Sequence, residues 1–141
     1  MRNISISHFI DIKEICYKYN MSLNGIVDIS IGYDEKIYIL ISEKIPERIK
    51  GMFVNTKANT KYHLIILTVN WWENGELLFD EIIHLGVHEM NYHFVQPMED
   101  QILLLGARCL YQEPQPEQNA VIVTKEGKVC KKMCLGDGIQ Q

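Results

Sequence analysis

Two stretches, Glu35-Lys36-Ile37-Tyr38-Ile39-Leu40 and Asp100-Gln101-Ile102-Leu103-Leu104-Leu105, decide the reading of this chain. Each sets an acidic turn before a run of apolar residues, and the two lie 65 positions apart. The surrounding order of events also repeats. Ile26 to Ile31 reads as a strand, Gly32-Tyr33-Asp34-Glu35 as a turn and Lys36 to Ile41 as a second strand. Tyr62 to Asn70 is a third, rich in branched and aromatic residues. Asn74-Gly75 is a hairpin signal, since both residues tolerate positive φ. It returns the chain through Glu76 to His84; Leu77, Leu78, Glu81 and Ile82 also fit a helical face there, but the turn favours a strand. Asn91 to Val95, Gln101 to Leu105, Asn119 to Thr124 and Lys128 to Cys134 retrace that order, with Pro97 to Asp100 and Glu126-Gly127 as turns. Asn74-Gly75-Glu76 answers Glu126-Gly127-Lys128 at a shift of 52, and His84-Leu85-Gly86 answers Cys134-Leu135-Gly136 at a shift of 50.

A repeat of ~50 residues with four strands per unit is the signature of β-propeller blades. His63 to Leu67 and Ile102 to Leu105 are apolar on both faces, as a strand packed from both sides requires; a sheet with one wet face would alternate. The expected architecture is all-β with one N-terminal helix: two four-stranded antiparallel blades forming part of a larger propeller. An eight-stranded two-sheet sandwich is the alternative. The segments are 1–24 for the helical lead, 25–86 and 87–135 for the blades, and 136–141 for the stub of a further blade. Within the lead, Phe9, Ile12, Cys16 and Tyr19 recur at helical spacing after Ser7 as an N-cap and before Gly25 as a stop. This predicts a helix over 8–20 that docks through Phe9, Ile12 and Cys16, with Lys13 and Lys18 in water.

Composition narrows the function classes. At 141 residues the chain is long enough for one domain, and 47% hydrophobic with 23% charged residues suits a packed core rather than disorder. A net charge of −4 provides no overall positive field for nucleic acid or an anionic membrane. No apolar run approaches the ~20 residues needed to span a bilayer. The first residues contain no apolar signal core, and the scattered Cys16, Cys109, Cys130 and Cys134 suit a reducing compartment, so a cytoplasmic location is expected.

Several segments resemble a group of uncharacterised bacterial β-propeller proteins with WD-like repeats. They are Tyr92-His93-Phe94-Val95-Gln96-Pro97, Leu103 to Cys109, Asn119 to Val123 and Cys134-Leu135-Gly136-Asp137-Gly138-Ile139. The resemblance covers most of residues 25 to 141. It implies an N-terminal part of a longer propeller, whose Leu-Gly-Asp-Gly-Ile segment leads into another blade. It implies no activity and no cofactor.

Histidine supplies the main candidate chemistry. His84, His88 and His93 fall within ten residues. His88-Glu89-Met90-Asn91-Tyr92-His93 has one residue too many for the zinc pattern H-E-x-x-H, which needs two imidazoles one helical turn apart. Convergence across a loop, with His63 or Cys134 as a fourth ligand, is the metal reading; a hydrogen bond from His93 that orients a strand end is the simpler one. Asp80 and Glu81 are adjacent, so on a strand they face opposite ways and cannot share a proton. Arg108, set among Gly106, Ala107 and Cys109, needs an acceptor and is a candidate for binding a carboxylate ligand. Trp72, beside Trp71, is a candidate stacking platform. The 44–61 loop carries five cations against Glu47 alone, around Met52-Phe53-Val54, which is either a partner contact or a solvated excursion.

Two functions remain: a non-enzymatic propeller scaffold that binds a protein or small ligand, and part of a propeller enzyme, such as a metal-dependent hydrolase or lyase. No catalytic set is recognisable. Two-faced strands also predict self-association, most simply a homodimer, through the face of the second blade that carries Val121, Val123 and Ile102 to Leu105.

Overall fold

The computed structural model describes residues 9–43, 60–70, 72, 75–108 and 117–137. A short helix, α1 (Ile12–Lys18), precedes eight strands: β1 (Leu23–Ile31), β2 (Ile37–Glu43), β3 (Thr60–Asn70), β4 (Glu76–His88), β5 (Asn91–Pro97), β6 (Gln101–Arg108), β7 (Glu117–Thr124) and β8 (Val129–Asp137). They form two four-stranded antiparallel meanders, β1-β2-β3-β4 and β5-β6-β7-β8. The chain is therefore mostly β with one short helix. Every strand expected from the sequence is present. Most run one to four residues longer, because ladder pairing continues past the expected ends, as through Leu85 to His88 in β4.

The turns form for local reasons. Asp34 accepts a hydrogen bond from the Lys36 amide at 3.2 Å, an Asx turn between β1 and β2. Gly127, at φ +91°, closes β7 onto β8 by donating to the Thr124 carbonyl. A Cβ at Gly127 would lie 2.3 Å from the His84 carbonyl oxygen, so this hairpin tip sits directly on β4 of the other sheet.

Strand alternation gives the first sheet two dry faces. Tyr38, Leu40, Tyr62, Leu64, Ile66, Ile83 and Leu85 meet Tyr92, Val95, Ile102, Leu104, Val121 and Val123 of the second sheet. On the opposite face, Ile39, Ile41, Ile65 and Leu67 are covered by Ile15 and Cys16 of α1 and by Met21. Polar ties cross between the sheets. The Asp28 carboxylate on β1 accepts from the Val95 amide on β5 at 2.8 Å, and Lys125 donates to the Tyr38 hydroxyl at 3.0 Å. The Tyr62 hydroxyl donates to the Met90 carbonyl and accepts from the Tyr92 amide.

Two expectations need correction. The helix is shorter than 8–20: Asp11, not Ser7, is its N-cap, with its carboxylate accepting from the Lys13 and Glu14 amides. Asn20 at φ +57° ends it. Phe9 therefore lies before the helix and is 83% exposed; Ile15 takes the docking place beside Cys16, while Lys13 and Lys18 are exposed as expected. Secondly, Val121, Val123, Ile102 and Leu104 face the first sheet and are buried. The open side of the second sheet carries the other parity instead, with Phe94, Leu103, Leu105 and Ile122 half-buried.

Candidate functional site

The three clustered histidines do not share a face. In the β3–β4 ladder Tyr62 opposes Gly86 and His63 opposes His84, leaving Leu85 as the extra residue of a bulge. A bulge reverses the side-chain alternation beyond it. His84 consequently lies on the α1 side of the sheet, and His88, four residues on, lies on the side of the second sheet. His93 sits at a second bulge, between Tyr92 and Phe94, and is exposed. Among the described residues, no group of three or more His, Cys, Asp or Glu is placed to hold a metal ion.

His88 closes the connection between the sheets. Its Nε2 lies 2.8 Å from the Leu85 carbonyl, which can only accept, so Nε2 carries the proton. Nδ1 of the neutral ring then accepts from the Tyr92 hydroxyl, also at 2.8 Å. The Tyr62, His88 and Tyr92 rings meet edge to face. Burial pushes the Tyr62 and Tyr92 phenols upward, so both remain protonated donors at neutral pH.

Beside this cluster a cleft of about 580 Å³ opens between the sheets. Leu85, Val87 and Met90 form one wall, Val121 and Val129 the other, with His88, Glu89, Tyr92, Asn119 and Lys132 supplying polar groups. Its lining is more polar than apolar, so a ligand there would be held by these polar groups as well as by apolar contact.

On the opposite face, three neighbouring strands assemble a second group. Glu43 ends β2, His63 is in β3 and His84 in β4. His63 is only 2% exposed, yet both its ring nitrogens are engaged: Nε2 lies 2.7 Å from Glu43 Oε2 and Nδ1 lies 2.8 Å from His84 Nδ1. The other Glu43 oxygen accepts from the Ser22 amide, and Lys61 Nζ lies 3.5 Å from Oε2. Burial would raise the Glu43 carboxyl, but the bonds from His63 and Ser22 and the Lys61 charge outweigh it and hold the group below its usual range. For His63 burial wins over the attraction of Glu43, and its pKa lies below the ordinary histidine value. The Glu43–His63 contact at neutral pH is thus a hydrogen bond from a neutral imidazole to a carboxylate. Nearby, burial first and the Glu43 charge second raise Cys16, which stays a thiol.

These assignments fix the tautomers. With Glu43 ionised, His63 carries its proton on Nε2 and accepts at Nδ1, so His84 donates from Nδ1. The ring centroids are 4.9 Å apart and the planes near-perpendicular at 85°. For nitrogens 2.8 Å apart, that spacing points the two atoms almost directly at each other, as in a hydrogen bond rather than joint ligation of a cation.

The remaining sequence candidates are dispersed. Trp72, at the β3–β4 turn, is 96% exposed. Arg108 is the last residue of β6, paired with Glu117, and its side chain lies outside the described residues. Trp71, Asn74, Cys109 and the basic loop over 44–59 also lie outside them. Cys134 is exposed on β8, opposite Asn119. Sequence reasoning proposed His63 only as a spare metal ligand and missed Glu43. The usable signal was register: Ile41, His63 and His84 align across three strands, and Glu43 follows two positions after Ile41. No protein-family model, curated protein or solved structure matches the chain.

Proposed function

We propose that this chain is a propeller-type binding scaffold, made of two successive blades. The observation that carries the reading is the wedge between the sheets. The first strands, β1 and β5, lie side by side and are joined by Asp28; on the far side the β7–β8 hairpin tip rests on β4 at His84, and past that contact a cleft opens between β4 and β8. Consecutive blades around an axis have that relation, each chain passing from the outer strand of one sheet to the inner strand of the next. Face-to-face sandwich packing would instead keep the two sheets about evenly spaced.

In this reading the cleft receives a small ligand bearing a carboxylate, which Lys132 would pair beside Val121 and Val129. The half-buried Phe94, Leu103, Leu105 and Ile122 face is the surface for a second copy, since the other face of the same sheet already packs against a meander of this kind. Cys16, Cys130 and Cys134 form no disulfide among the described residues, which fits the cytoplasm, and no described helix is long and apolar enough to cross a membrane.

Amide NMR spectra recorded with aromatic carboxylate fragments test the ligand site. Shifts concentrated at Val87, Val121 and Val129 are expected, and shifts scattered over the surface would overturn it. Metal analysis tests the enzyme alternative: stoichiometric metal lost on replacing His84 and His88 would favour a metalloenzyme. Light scattering at micromolar concentration tests the second copy, for which a monomer is the adverse result.

A further inference from the structure

Beyond the scaffold reading, and independent of it, we propose that Glu43, His63 and His84 form a relay that makes His84 Nε2 a nucleophile toward activated acyl esters. A carboxylate that holds one imidazole, which in turn holds the reacting group, is the logic of acyl-transfer triads, here with a second histidine in the nucleophile's place. Three features support it. The relay is anchored at its far end by Ser22 and Lys61 on Glu43, so His63 cannot turn away. His63 is enclosed in the sheet, with Ile41 beside it on β2, which keeps water from competing for its nitrogens. His84 is exposed, with its proton committed to Nδ1, so the unprotonated nitrogen is Nε2.

The local charge selects the substrate class. Among the described residues, Lys61 is the cation paired to the relay and Glu43 balances it, so these leave no excess positive charge to attract a phosphoryl dianion. A neutral aryl ester meets no such barrier. Nε2 of His84 would form a C–N bond to the acyl carbon while the C–O bond breaks and its pair leaves on the aryloxide. The Nδ1 proton of the acylated ring passes to Nδ1 of His63, whose Nε2–H remains on the Glu43 carboxylate. Water then adds to the acyl carbon and the C–N pair returns to Nε2. His63 returns the proton to Nδ1, and the carboxylic acid leaves with one proton released to solvent. His84 is the catalytic residue; His63 and Glu43 are positioning residues.

Hydrolysis of para-nitrophenyl acetate by the full chain tests the proposal, with an equal concentration of free imidazole as reference. The expected result is release faster than the reference, with acetyl trapped on His84 in peptide mass spectra. His84→Gln should abolish the excess. Glu43→Gln retains an acceptor for His63 but removes the charge; it should slow acylation severalfold and shift the pH–rate profile, with an unchanged circular dichroism spectrum. His93→Gln, an exposed histidine outside the relay, should have no effect. A rate no greater than imidazole, an excess surviving His84→Gln, a Glu43→Gln rate equal to the parent or acetyl shared equally between His84 and His93 would each overturn it.

Discussion

The two sheets have the same strand order and nearly the same apolar content, yet they are buried differently. In the first, Leu40 and Ile41, or Ile65 and Ile66, are consecutive residues that are almost wholly buried, one toward α1 and the next toward the second sheet. In the second, Ile102 and Leu104 are fully buried while Leu103 between them and Leu105 after them are only half-buried. Apolar residues on both faces therefore mark a strand built for two neighbours; what supplies the second neighbour is a separate matter. Helix α1 supplies it for one sheet, and no described element does so for the other.

That contrast breaks most readily at paired core positions. Ile65→Ala, beneath α1, should cost about 3–4 kcal/mol in urea unfolding, whereas Leu103→Ala on the open face should cost about 1 kcal/mol or less. Equal losses would mean that the face of the second sheet is covered in solution. Gly127→Ala acts where one sheet touches the other, and combines a left-handed φ with a Cβ against the His84 carbonyl. A loss of about 2 kcal/mol is expected from strain of this kind, seen as a lower denaturation midpoint.

Acid should sharpen the comparison further, because the relay belongs to the first sheet alone. Two groups there have folded-state pKa values below their unfolded ones. His63 binds its proton more readily when unfolded, so its contribution is lost as pH falls through and below the ordinary histidine value. Glu43 contributes above the ordinary carboxylate value and is lost as pH falls through its depressed folded one. Denaturation midpoints between neutral and mildly acidic pH should fall less steeply in His63→Phe than in the parent chain, and identical slopes would remove the relay from the acid response. The smallest effect belongs to Phe9→Ala, which should change stability by less than about 0.5 kcal/mol, because an exposed side chain before the helix has no packing to lose.

The eight strands were legible because turn residues punctuate them: Asp34, Gly75 and Gly127 adopt the turn or positive-φ conformations that their residue types favour. The helix was legible in kind but not in extent. Ser7 and Asp11 are both competent N-caps, and Phe9 extends the helical spacing without being part of the docked face. The candidate site was the least legible. The spacing of His84 and His88 places them on one face of an ideal strand, and only the bulge at Leu85 parts them. A single inserted residue of this kind leaves no compositional mark, since Leu85-Gly86 reads as readily as a strand end. Glu43 and His63 were hidden for another reason: they belong to β2 and β3, and only strand register brings them together.

The Asp28–Val95 bond has a mechanical consequence. It ties β1 to β5 on one side of the interface, while on the other the Gly127 hairpin tip rests on His84 of β4 and Lys125 bonds Tyr38, so the sheets are held at more than one point. A rotation about Asp28 and Val95 that widened the gap between Leu85 and Val129 would have to lift the Gly127 tip off His84, which lies beside that gap. Occupancy of that gap would bear on the angle between the two sheets, and Tyr62, fastened to Met90 on the connecting turn and to Tyr92 in β5, would feel every such rotation.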